Sequence, residues 1–391
     1  MRPQLDMYFR MSACTAIRIR IRNKVCSLQV CLLVRKLQER KYTLADNVES
    51  LMDSWHPHTV CSDPGTCWIK AAEPAVNVPP DEQIDPRPDA QWSAAGLRSG
   101  IYGVVTPNVV PLQDGGYRLY YTQILPRPGF PAGANDYDNA TSRILSARSE
   151  NGETWIPEPG VRLLPQQSGP GTLRVVSPEV VPAGDNHDRL RMYYEDCRGP
   201  GLDAASLKSA GSEDGGLTWT VESGVRMGDG DRSFISPRAV FLEDGRCRLY
   251  YAERGKGIRS ALSGDGGLTF RQEPGLRIGS ERSDNAPMAF APEVLSIKGG
   301  GFRMYYAQYA TSKAACIMSA LSDDGLTWQK DCEMTIAPGG AWDTVKASEM
   351  CVMPLGKSDE KGAGYRMLYE ACDGTATDKR GVWRIATAIS Q

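Results

Sequence analysis

The sequence predicts an all-β protein, a five-bladed β-propeller of four-stranded blades, on three observations. A segment of strand, turn and strand recurs five times between residues 106 and 372. A third apolar run follows each copy, and in most copies a turn segment similar to Ser-x-Asp-x-Gly-x-Thr-Trp follows that run. The recurring Pro, or its equivalent, stands at 107, 178, 237, 292 and 348, a period typical of propeller blades.

The first element of each copy is a pair of strands joined by a tight turn. An apolar run, a Gly/Asp turn and a run of aromatic, β-forming residues predict such a hairpin. The five copies are "TPNVVPLQDGGYRLYYTQ" (106–123), "SPEVVPAGDNHDRLRMYYED" (177–196), "SPRAVFLEDGRCRLYYAER" (236–254), "APEVLSIKGGGFRMYYAQ" (291–308) and the looser "SEMCVMPLGKSDEKGAGYRMLYEAC" (348–372). Five hairpins predict five blades.

The third strand of each copy leads into the turn segment, which we call the box. The third strands end in "ILSARS" (144–149), "SLKSAGS" (206–212), "IRSALS" (258–263), "IMSALS" (317–322) and "IATAIS" (385–390). The boxes are "SENGETW" (149–155), "SEDGGLTW" (212–219), "SGDGGLTF" (263–270) and "SDDGLTW" (322–328). Ser and Asp side chains can bond the turn backbone, and the aromatic ring can pack between blades. Because it recurs, the box is predicted to be scaffold rather than a catalytic site.

The last copy has no box of its own, because Gln391 ends the sequence shortly after "IATAIS". A matching segment stands near the front, where "SDPGTCW" (62–68) resembles a box and "IKAAEPAVNV" (69–78) is typical of an outer strand. We therefore predict that the N-terminal segment completes the last blade and closes the ring. Closure removes an open sheet edge that would invite aggregation. The propeller is predicted to span residues 51–391.

Residues 1–50 are predicted to be a basic extension outside the propeller, either a leader or a disordered segment. Residues 1–41 contain ten Arg and Lys against two acidic residues, and "VCSLQVCLLV" (25–34) is apolar. That run is too short to span a bilayer. The composition is compatible with secretion or with an organelle, and it does not choose between them.

The totals exclude several classes of function. A net charge of −2 gives no global reason to expect nucleic acid as a partner. Three histidines and the absence of a C-x-x-C pair disfavour a zinc site and a Ser-His-Asp or Cys-His catalytic group. No glycine loop that binds a coenzyme phosphate is visible, so no coenzyme or metal is predicted. The sequence does not specify the oligomeric state.

The motifs resemble those of known carbohydrate-active propellers. The box resembles the Asp-box of sialidases. The whole unit, "P-E-V … R-x-Y-Y … S-A-x-S-x-D-G-x-T-W", resembles the five-bladed glycoside hydrolase superfamily that includes arabinanases, xylosidases and invertases, over about residues 60–391. The resemblance implies hydrolysis of a glycoside in the central funnel by a pair of carboxylic acids. A central calcium ion is implied by family analogy alone.

Candidate site residues stand where the first strands begin, because these strands should surround the funnel mouth. The residue after each proline-equivalent position is Asn108, Glu179, Arg238, Glu293 or Glu349. The three glutamates are the predicted catalytic residues, with Asp343 as a reserve base. Crowding of like charges would raise the pKa of at least one glutamate and keep it protonated as a general acid. The predicted substrate-binding residues are Asn108, Arg174, Asp196, Arg198, Arg232, Arg238 and Trp342.

Three alternatives remain open on the sequence. The family places an essential Asp on the first inner strand, whereas "GIYGVVTPNVV" (100–110) has no carboxylate. A non-catalytic carbohydrate-binding or degenerate propeller is therefore the second hypothesis. The charged residues could also form an internal ion-pair ring that merely plugs the funnel. A sialidase-like exo-glycosidase and a protein-interaction propeller are the others.

Overall fold

The computed structural model describes residues 61–77, 102–113, 115–125, 141–183, 189–198, 205–228, 230–279, 288–311, 314–355, 364–374 and 381–391. In these residues the regular elements are β-strands apart from one short helix, α1 (Pro165–Ser168). The predicted all-β class is therefore confirmed. The predicted basic extension, residues 1–50, lies outside the described residues.

The strands form five antiparallel groups in chain order, which we call units 1 to 5, preceded by β1 (Trp68–Lys70). Unit 1 contains β2 (Tyr102–Pro111), β3 (Tyr117–Ile124), β4 (Ser142–Ser149) and β5 (Ile156–Pro157). Unit 2 contains β6 (Arg174–Pro182), β7 (Leu190–Cys197), β8 (Ala205–Ser212) and β9 (Thr220–Val221). Unit 3 contains β10 (Phe234–Phe241), β11 (Cys247–Glu253), β12 (Gly257–Ser263), β13 (Arg271–Gln272) and β14 (Ile278–Gly279).

Unit 4 contains β15 (Met288–Ser296), β16 (Phe302–Thr311), β17 (Ala314–Ser322) and β18 (Gln329–Lys330), and unit 5 contains β19 (Lys346–Pro354), β20 (Tyr365–Cys372) and β21 (Val382–Ser390). In units 1 to 4 each strand that follows the third strand has only two residues. In unit 2 the fourth strand consists of β9 and an isolated bridge between Met227 and Leu207. Gly224, with φ of 84°, turns the chain between the two pieces.

The sheets are buried on both faces, which explains the aromatic pairs in the second strands. Both tyrosines of "LYY" in β3, Tyr120 and Tyr121, are fully buried although their side chains point to opposite faces. The same holds for the pairs in β7, β11 and β16. Each unit therefore packs against a neighbour on either side, and the core is divided into clusters between units.

The first strands of the units contact one another in succession. β2 contacts β6, β6 contacts β10, β10 contacts β15, β15 contacts β19, and β19 contacts β2. β1 pairs antiparallel with β21, with Trp68 opposite Ser390 and Lys70 opposite Ala388. Val76 forms a further bridge with Ile385. The N-terminal segment therefore lies beside the last strand of unit 5.

The box is a self-bonded turn at the end of the third strand. In unit 2, Ser212 Oγ accepts the Gly216 N–H at 2.9 Å, and Asp214 Oδ1 accepts the Leu217 and Thr218 N–H groups at 3.1 and 3.0 Å. Trp219 Nε1 donates to the Gly216 carbonyl at 3.0 Å. The boxes of units 3 and 4 repeat the bonds of the Ser and the Asp.

Each of these boxes also contacts the second strand of the preceding unit. Tyr120 of unit 1 donates its hydroxyl to the Gly216 carbonyl at 3.1 Å, and its ring meets Trp219 edge-on at 5.8 Å between centroids. Equivalent contacts join Tyr193 to Phe270, Tyr250 to Trp328 and Tyr305 to Trp68. In the last of these pairs, the N-terminal segment 62–68 occupies the position of a box beside unit 4.

A β-bulge interrupts every first strand shortly after it begins. In four units the residue before the proline adopts a left-handed backbone: φ is 55° at Thr106, 53° at Ser177, 51° at Ser236 and 50° at Ala291. Such a conformation costs a non-glycine residue about 1–3 kcal/mol, so the surrounding bonds must hold it. The bulge sets which side chains point inward at the next positions.

Candidate functional site

The first strands begin at one end of the units, which we call the mouth end, and the boxes lie at the opposite end. Four of the predicted residues, Asn108, Glu179, Arg238 and Glu293, occupy matching positions opposite Tyr120, Tyr193, Tyr250 and Tyr305 of the second strands. We call these four residues and Cys351 the axial ring. All five residues are buried.

Backbone bonds link the members of the axial ring. At three junctions the residue after a ring member donates its N–H to the ring member of the preceding unit: Val180 to Asn108 Oδ1 at 3.0 Å, Ala239 to Glu179 Oε1 at 2.9 Å, and Val352 to Glu293 Oε1 at 2.9 Å. At Cys351, burial raises the pKa of the thiol, and the Val109 N–H opposes that shift. Asn108 Nδ2 also donates to Glu179 Oε2 at 2.6 Å. Together with the bond from Arg238 to Glu293, these hydrogen bonds join units 1 to 5 in succession.

The fifth member of the ring is Cys351, so the predicted place of Glu349 was wrong. Unit 5 has "EMCVMP" (349–354) where unit 1 has "TPNVVP" (106–111), so Met350 rather than Ser348 stands in the place of the proline, and both strands have their bulge at this point. Counting from Ser348 therefore places Glu349 one layer too deep. Its side chain lies instead one layer nearer the mouth end, where its Oε2 accepts the Ser236 hydroxyl at 3.2 Å.

Arg238 contacts all five units. Its Nε donates to Glu293 of unit 4 at 2.9 Å and lies 3.8 Å from Glu179 of unit 2. Its terminal nitrogens donate to the carbonyls of Pro237 in its own unit at 2.9 Å, Pro107 of unit 1 at 3.2 Å and Met350 of unit 5 at 3.0 Å. The guanidinium therefore sits among all five first strands and closes the space between them.

Burial controls the protonation of this layer. Burial raises the pKa of Glu179 to about 8, although Arg238 opposes the shift, and the charge of Glu293 adds to it. Burial likewise raises the pKa of Glu293 against the effect of Arg238. A raised pKa was expected from crowding of like charges, whereas desolvation is the larger cause here. Burial disfavours the charge of Arg238, but the surrounding glutamates outweigh it and raise the pKa of the guanidinium.

A second layer of polar residues lies one step nearer the mouth end, and we call it the upper ring. It contains three carboxylates and a set of hydroxyl groups, which are Glu195, Glu349, Glu370, Thr106, Thr122, Ser177, Ser236 and Ser348. The Ser177 hydroxyl and the Ser236 N–H both donate to Glu195 Oε1 at 2.8 Å. The Ser236 hydroxyl donates to Glu349 of unit 5, so Ser236 links Glu195 to Glu349 through its N–H and its hydroxyl.

The remaining bonds close the upper ring. The Ser348 hydroxyl donates to Glu370 Oε2 at 2.6 Å, and the Thr106 N–H donates to Glu370 Oε1 at 3.0 Å. Thr106 and Thr122 share a hydrogen bond of 2.7 Å between hydroxyls, and the Ser177 N–H donates to the Thr122 hydroxyl at 3.3 Å. These bonds hold the left-handed residues Thr106, Ser177 and Ser236.

Glu195 and Glu370 end the second strands on the face where the sequence predicts the site, but they were not among the predicted catalytic or substrate-binding residues. Their signal is weak, because a carboxylate replaces Thr122 at one matching position of the second strand, as "YTQ", "YED" and "YEA" show. Only the bulges reveal that these acids reach backbone N–H groups of the next unit. Both are buried.

Two predicted residues, Trp342 and Asp343, contact the N-terminal segment instead of the axis. Asp343 forms a salt bridge of 2.5 Å with Lys70 and accepts the Tyr369 hydroxyl at 3.1 Å. Trp342 Nε1 donates to the Ala72 carbonyl at 2.8 Å. These contacts hold residues 70–72 against unit 5. The side chains of Trp342 and Asp343 therefore belong to neither the axial ring nor the upper ring.

The other four predicted residues lie at the mouth end of units 2 and 3. Asp196 is fully buried, bonded to Lys208, Ser168 and Thr172, and lies 3.7 Å from Arg198. Arg232 lies 3.6 Å from Glu253 and stacks over Phe234 at 5.0 Å. Arg174 is buried beside the Cys197 thiol. They surround the mouth rather than the axis.

The axial residues do not fit a calcium ion. Calcium prefers six to eight oxygen ligands, whereas the carboxylates and carbonyls of the axial layer already accept bonds from Arg238. A second cation beside a buried guanidinium would be repelled. Within the described ranges, no cluster of three or more His, Cys, Asp or Glu side chains has a metal-binding arrangement. In the same part of the chain, no helix has the length and apolarity to cross a membrane.

Solved structures with the same architecture are carbohydrate-active proteins. A glycoside hydrolase is similar with a TM-score of 0.59 and 15% identity, over 79% of this chain and 93% of that one. An endo-arabinase from Bacteroides thetaiotaomicron has a TM-score of 0.52 and 13% identity, over 77% of this chain and 96% of that one. An N-acetylgalactosamine deacetylase from F. plautii has a TM-score of 0.54 and 17% identity, over 81% of this chain and 95% of that one.

No protein-family profile matches the sequence. No curated protein matches it either. At identities of 13–17% the likeness concerns the backbone alone. The chain has the β-propeller type of fold that glycoside hydrolases such as the arabinanases have.

Proposed function

We propose that the chain is a glycoside hydrolase that acts on a carbohydrate at the mouth end of a closed, five-bladed propeller. Each unit would be one blade, and the boxes would be Asp-boxes that join neighbouring blades. The succession of contacts from β2 to β19 and back to β2 supports the blade count. The pairing of β1 with β21 supports closure by the N-terminal segment.

Glu349 carries the proposal. In the other units the residue two positions before the axial residue is small, namely Thr106, Ser177, Ser236 or Ala291, whereas unit 5 has Glu349 at this position. Its carboxylate reaches across to Ser236 of unit 3. One acid among small neighbours is the asymmetry that a single catalytic site needs.

Glycoside hydrolysis needs one carboxylic acid to protonate the leaving oxygen and one carboxylate to act on the sugar. Glu349 and Glu195 form the proposed pair, because Ser236 bonds both through its hydroxyl and its N–H. Glu179, Glu293 and Arg238 lie behind this pair and act as positioning residues. Asn108 belongs to the same supporting layer through its bond with Glu179.

A panel of chromogenic aryl glycosides tests this proposal. We expect the wild-type protein to hydrolyse at least one of them. Replacing Glu349 by Gln should reduce turnover by about 10²–10⁴-fold, as removal of a general acid or base does. Glu213→Gln is the matched control, because Glu213 is an exposed acid at the box end. Full turnover in folded Glu349→Gln protein would remove the proposed site.

The buried axial layer favours a second candidate function, a non-catalytic carbohydrate-binding propeller. Arg238 bonds to every unit and Glu349 is fully buried, as in a structural plug. Binding on a glycan array without hydrolysis of any glycoside would establish this function. The proposed closure has its own test: deletion of residues 1–80 should expose β21 and cause aggregation or unfolding. A monomeric deletion variant with an unchanged Tm would contradict closure.

A further inference from the structure

The mouth end is unevenly charged. Each unit contributes four segments to the mouth end. Two are the loop that leads into the first strand and the first four residues of that strand. The others are the end of the second strand with the turn that follows it, and the first four residues of the third strand. In units 2 and 3 the described part of these segments contains seven cationic and four acidic residues. In units 4, 5 and 1 it contains three cationic and four acidic residues.

Unit 2 contributes three of the cations, Arg174, Arg198 and Lys208. Arg198 directly follows β7 and its side chain is 58% exposed. Lys208 and Arg198 both lie against Asp196, so one buried acid faces two cations. Burial raises the pKa of the Cys197 thiol to about 11, while Arg174 and Arg254 both lower it, which places these two arginines around one buried thiol.

Unit 3 contributes the other four cations, Arg232, Arg254, Lys256 and Arg259. Arg259 donates to Glu253 at 2.5 Å and Arg232 lies 3.6 Å from the same carboxylate, so this acid too is shared by two cations. The side chain of Arg232 is 44% exposed, and Lys256 is exposed in the turn that follows β11. We call these four cations, together with the three of unit 2, the basic side of the mouth.

We propose that the basic side of the mouth binds an acidic glycan, a sugar chain that carries carboxylates or sulfate esters. Among the described residues of these segments the excess of three positive charges is local, since the whole chain has a net charge of −2. Guanidinium groups bind carboxylate and sulfate oxygens through two parallel N–H bonds, and exposed arginines can turn toward a ligand. The inference rests on the proposed function only in placing the ligand at this end.

Direct binding tests the inference independently of turnover. We would measure affinity for polygalacturonate, for its neutral methyl ester, for a sulfated galactan and for the unsulfated galactan. The protein should bind at least one acidic polymer about tenfold or more tightly than its uncharged counterpart, and the difference should shrink as salt screens the charges. Preference for polygalacturonate would identify carboxylate as the recognised group, and preference for the sulfated galactan would identify sulfate.

Arginine variants locate the binding surface. Arg198→Gln and Arg232→Gln change exposed side chains, so the fold should persist, and together they should weaken binding of the acidic polymer by about tenfold or more. Arg189→Gln is the matched control, because exposed Arg189 stands at the opposite end of β7. Equal affinity for charged and uncharged polymers, or an equal loss in the control, would overturn the inference.

The glycosidase activity and the acidic ligand are separate proposals, and different results would overturn each of them. Hydrolysis of a neutral aryl glycoside without any preference for acidic polymers would overturn the acidic ligand and keep the glycosidase. Tight binding of an acidic polymer by a protein that hydrolyses no glycoside would keep the acidic ligand and overturn the glycosidase.

Discussion

The box end and the mouth end of the same strands differ in how closely the units repeat one another. At the box end, Ser, Asp, Gly and an aromatic ring recur with the same bonds, as in 212–219 and 263–270. At the axis the matching residues are Asn108, Glu179, Arg238, Glu293 and Cys351. A feature present in every unit serves a task that every unit shares, whereas one asymmetric site needs residues that differ.

The two ends also differ in electrostatics. Desolvation opposes the charge of Asp214 in the box, but the N–H and hydroxyl of Thr218 outweigh it and lower the pKa of Asp214 to about 2. Burial instead raises the pKa of Glu179 at the axis to about 8. The box acids therefore stay ionised at neutral pH, and pH dependence between these values should come from the axis.

Removal of the axial guanidinium should have the largest effect on stability. Arg238→Met would leave Glu179 and Glu293 buried without their shared cation, which typically costs about 3–5 kcal/mol. Urea denaturation measures this loss. Arg189→Met, which breaks an exposed pair with Glu213, should cost less than about 1 kcal/mol. An equal loss of unfolding free energy in the two variants would show that the axial layer contributes no more to stability than an exposed ion pair.

Truncation of a box aromatic should destabilise the protein without affecting the mouth end. Trp219→Ala removes a buried ring from the contact with Tyr120, at a cost of about 3–5 kcal/mol. Ligand affinity of the folded fraction should be unchanged. Leu217→Ala is the control, since Leu217 is an exposed neighbour in the same box. Loss of affinity at full stability would contradict the scaffold role of the boxes.

The axial acids predict how stability depends on pH. The folded pKa of Glu179 is about 8, above its ordinary value of 4.5, so the folded state binds more protons between these values. Stability should therefore fall as pH rises from about 4.5 to about 8, by up to a few kcal/mol. Urea denaturation across this range measures the slope.

Glu179→Gln should flatten that slope, because an amide does not titrate. Glu213→Gln, which changes an exposed acid at the box end, should leave the slope as it is. An unchanged slope in the Glu179 variant would assign the pH dependence to other groups.

Loss of a single box hydroxyl should have the smallest effect. Ser212→Ala removes the acceptor of the Gly216 N–H and the donor to Asp214, which should cost about 1 kcal/mol in thermal or urea denaturation. Ser223→Ala, at an exposed position of the same unit, is the control. A cost as large as that of Trp219→Ala would show that turn bonds, rather than ring packing, dominate the boxes.

The sequence by itself determined the all-β class and the five recurrent hairpins, because apolar runs, glycine turns and aromatic strands are local patterns. It also brought Asn108, Glu179, Arg238 and Glu293 into one set, since each follows a proline at the same strand position. Local spacing was sufficient wherever a proline marks the strand position.

Tertiary structure decided the rest. Unit 5 has Met350 where the other units have a proline, and the pairing of its first strand places Cys351 rather than Glu349 in the axial ring. Glu195 and Glu370 became site residues only because left-handed residues of the next unit point their N–H groups at them. Trp342 and Asp343 bond to the N-terminal segment, which lies some 270 residues away in sequence, and not to the axial residues. Bulges and contacts between distant segments leave no periodic signal, because they depend on where the neighbouring unit places its backbone.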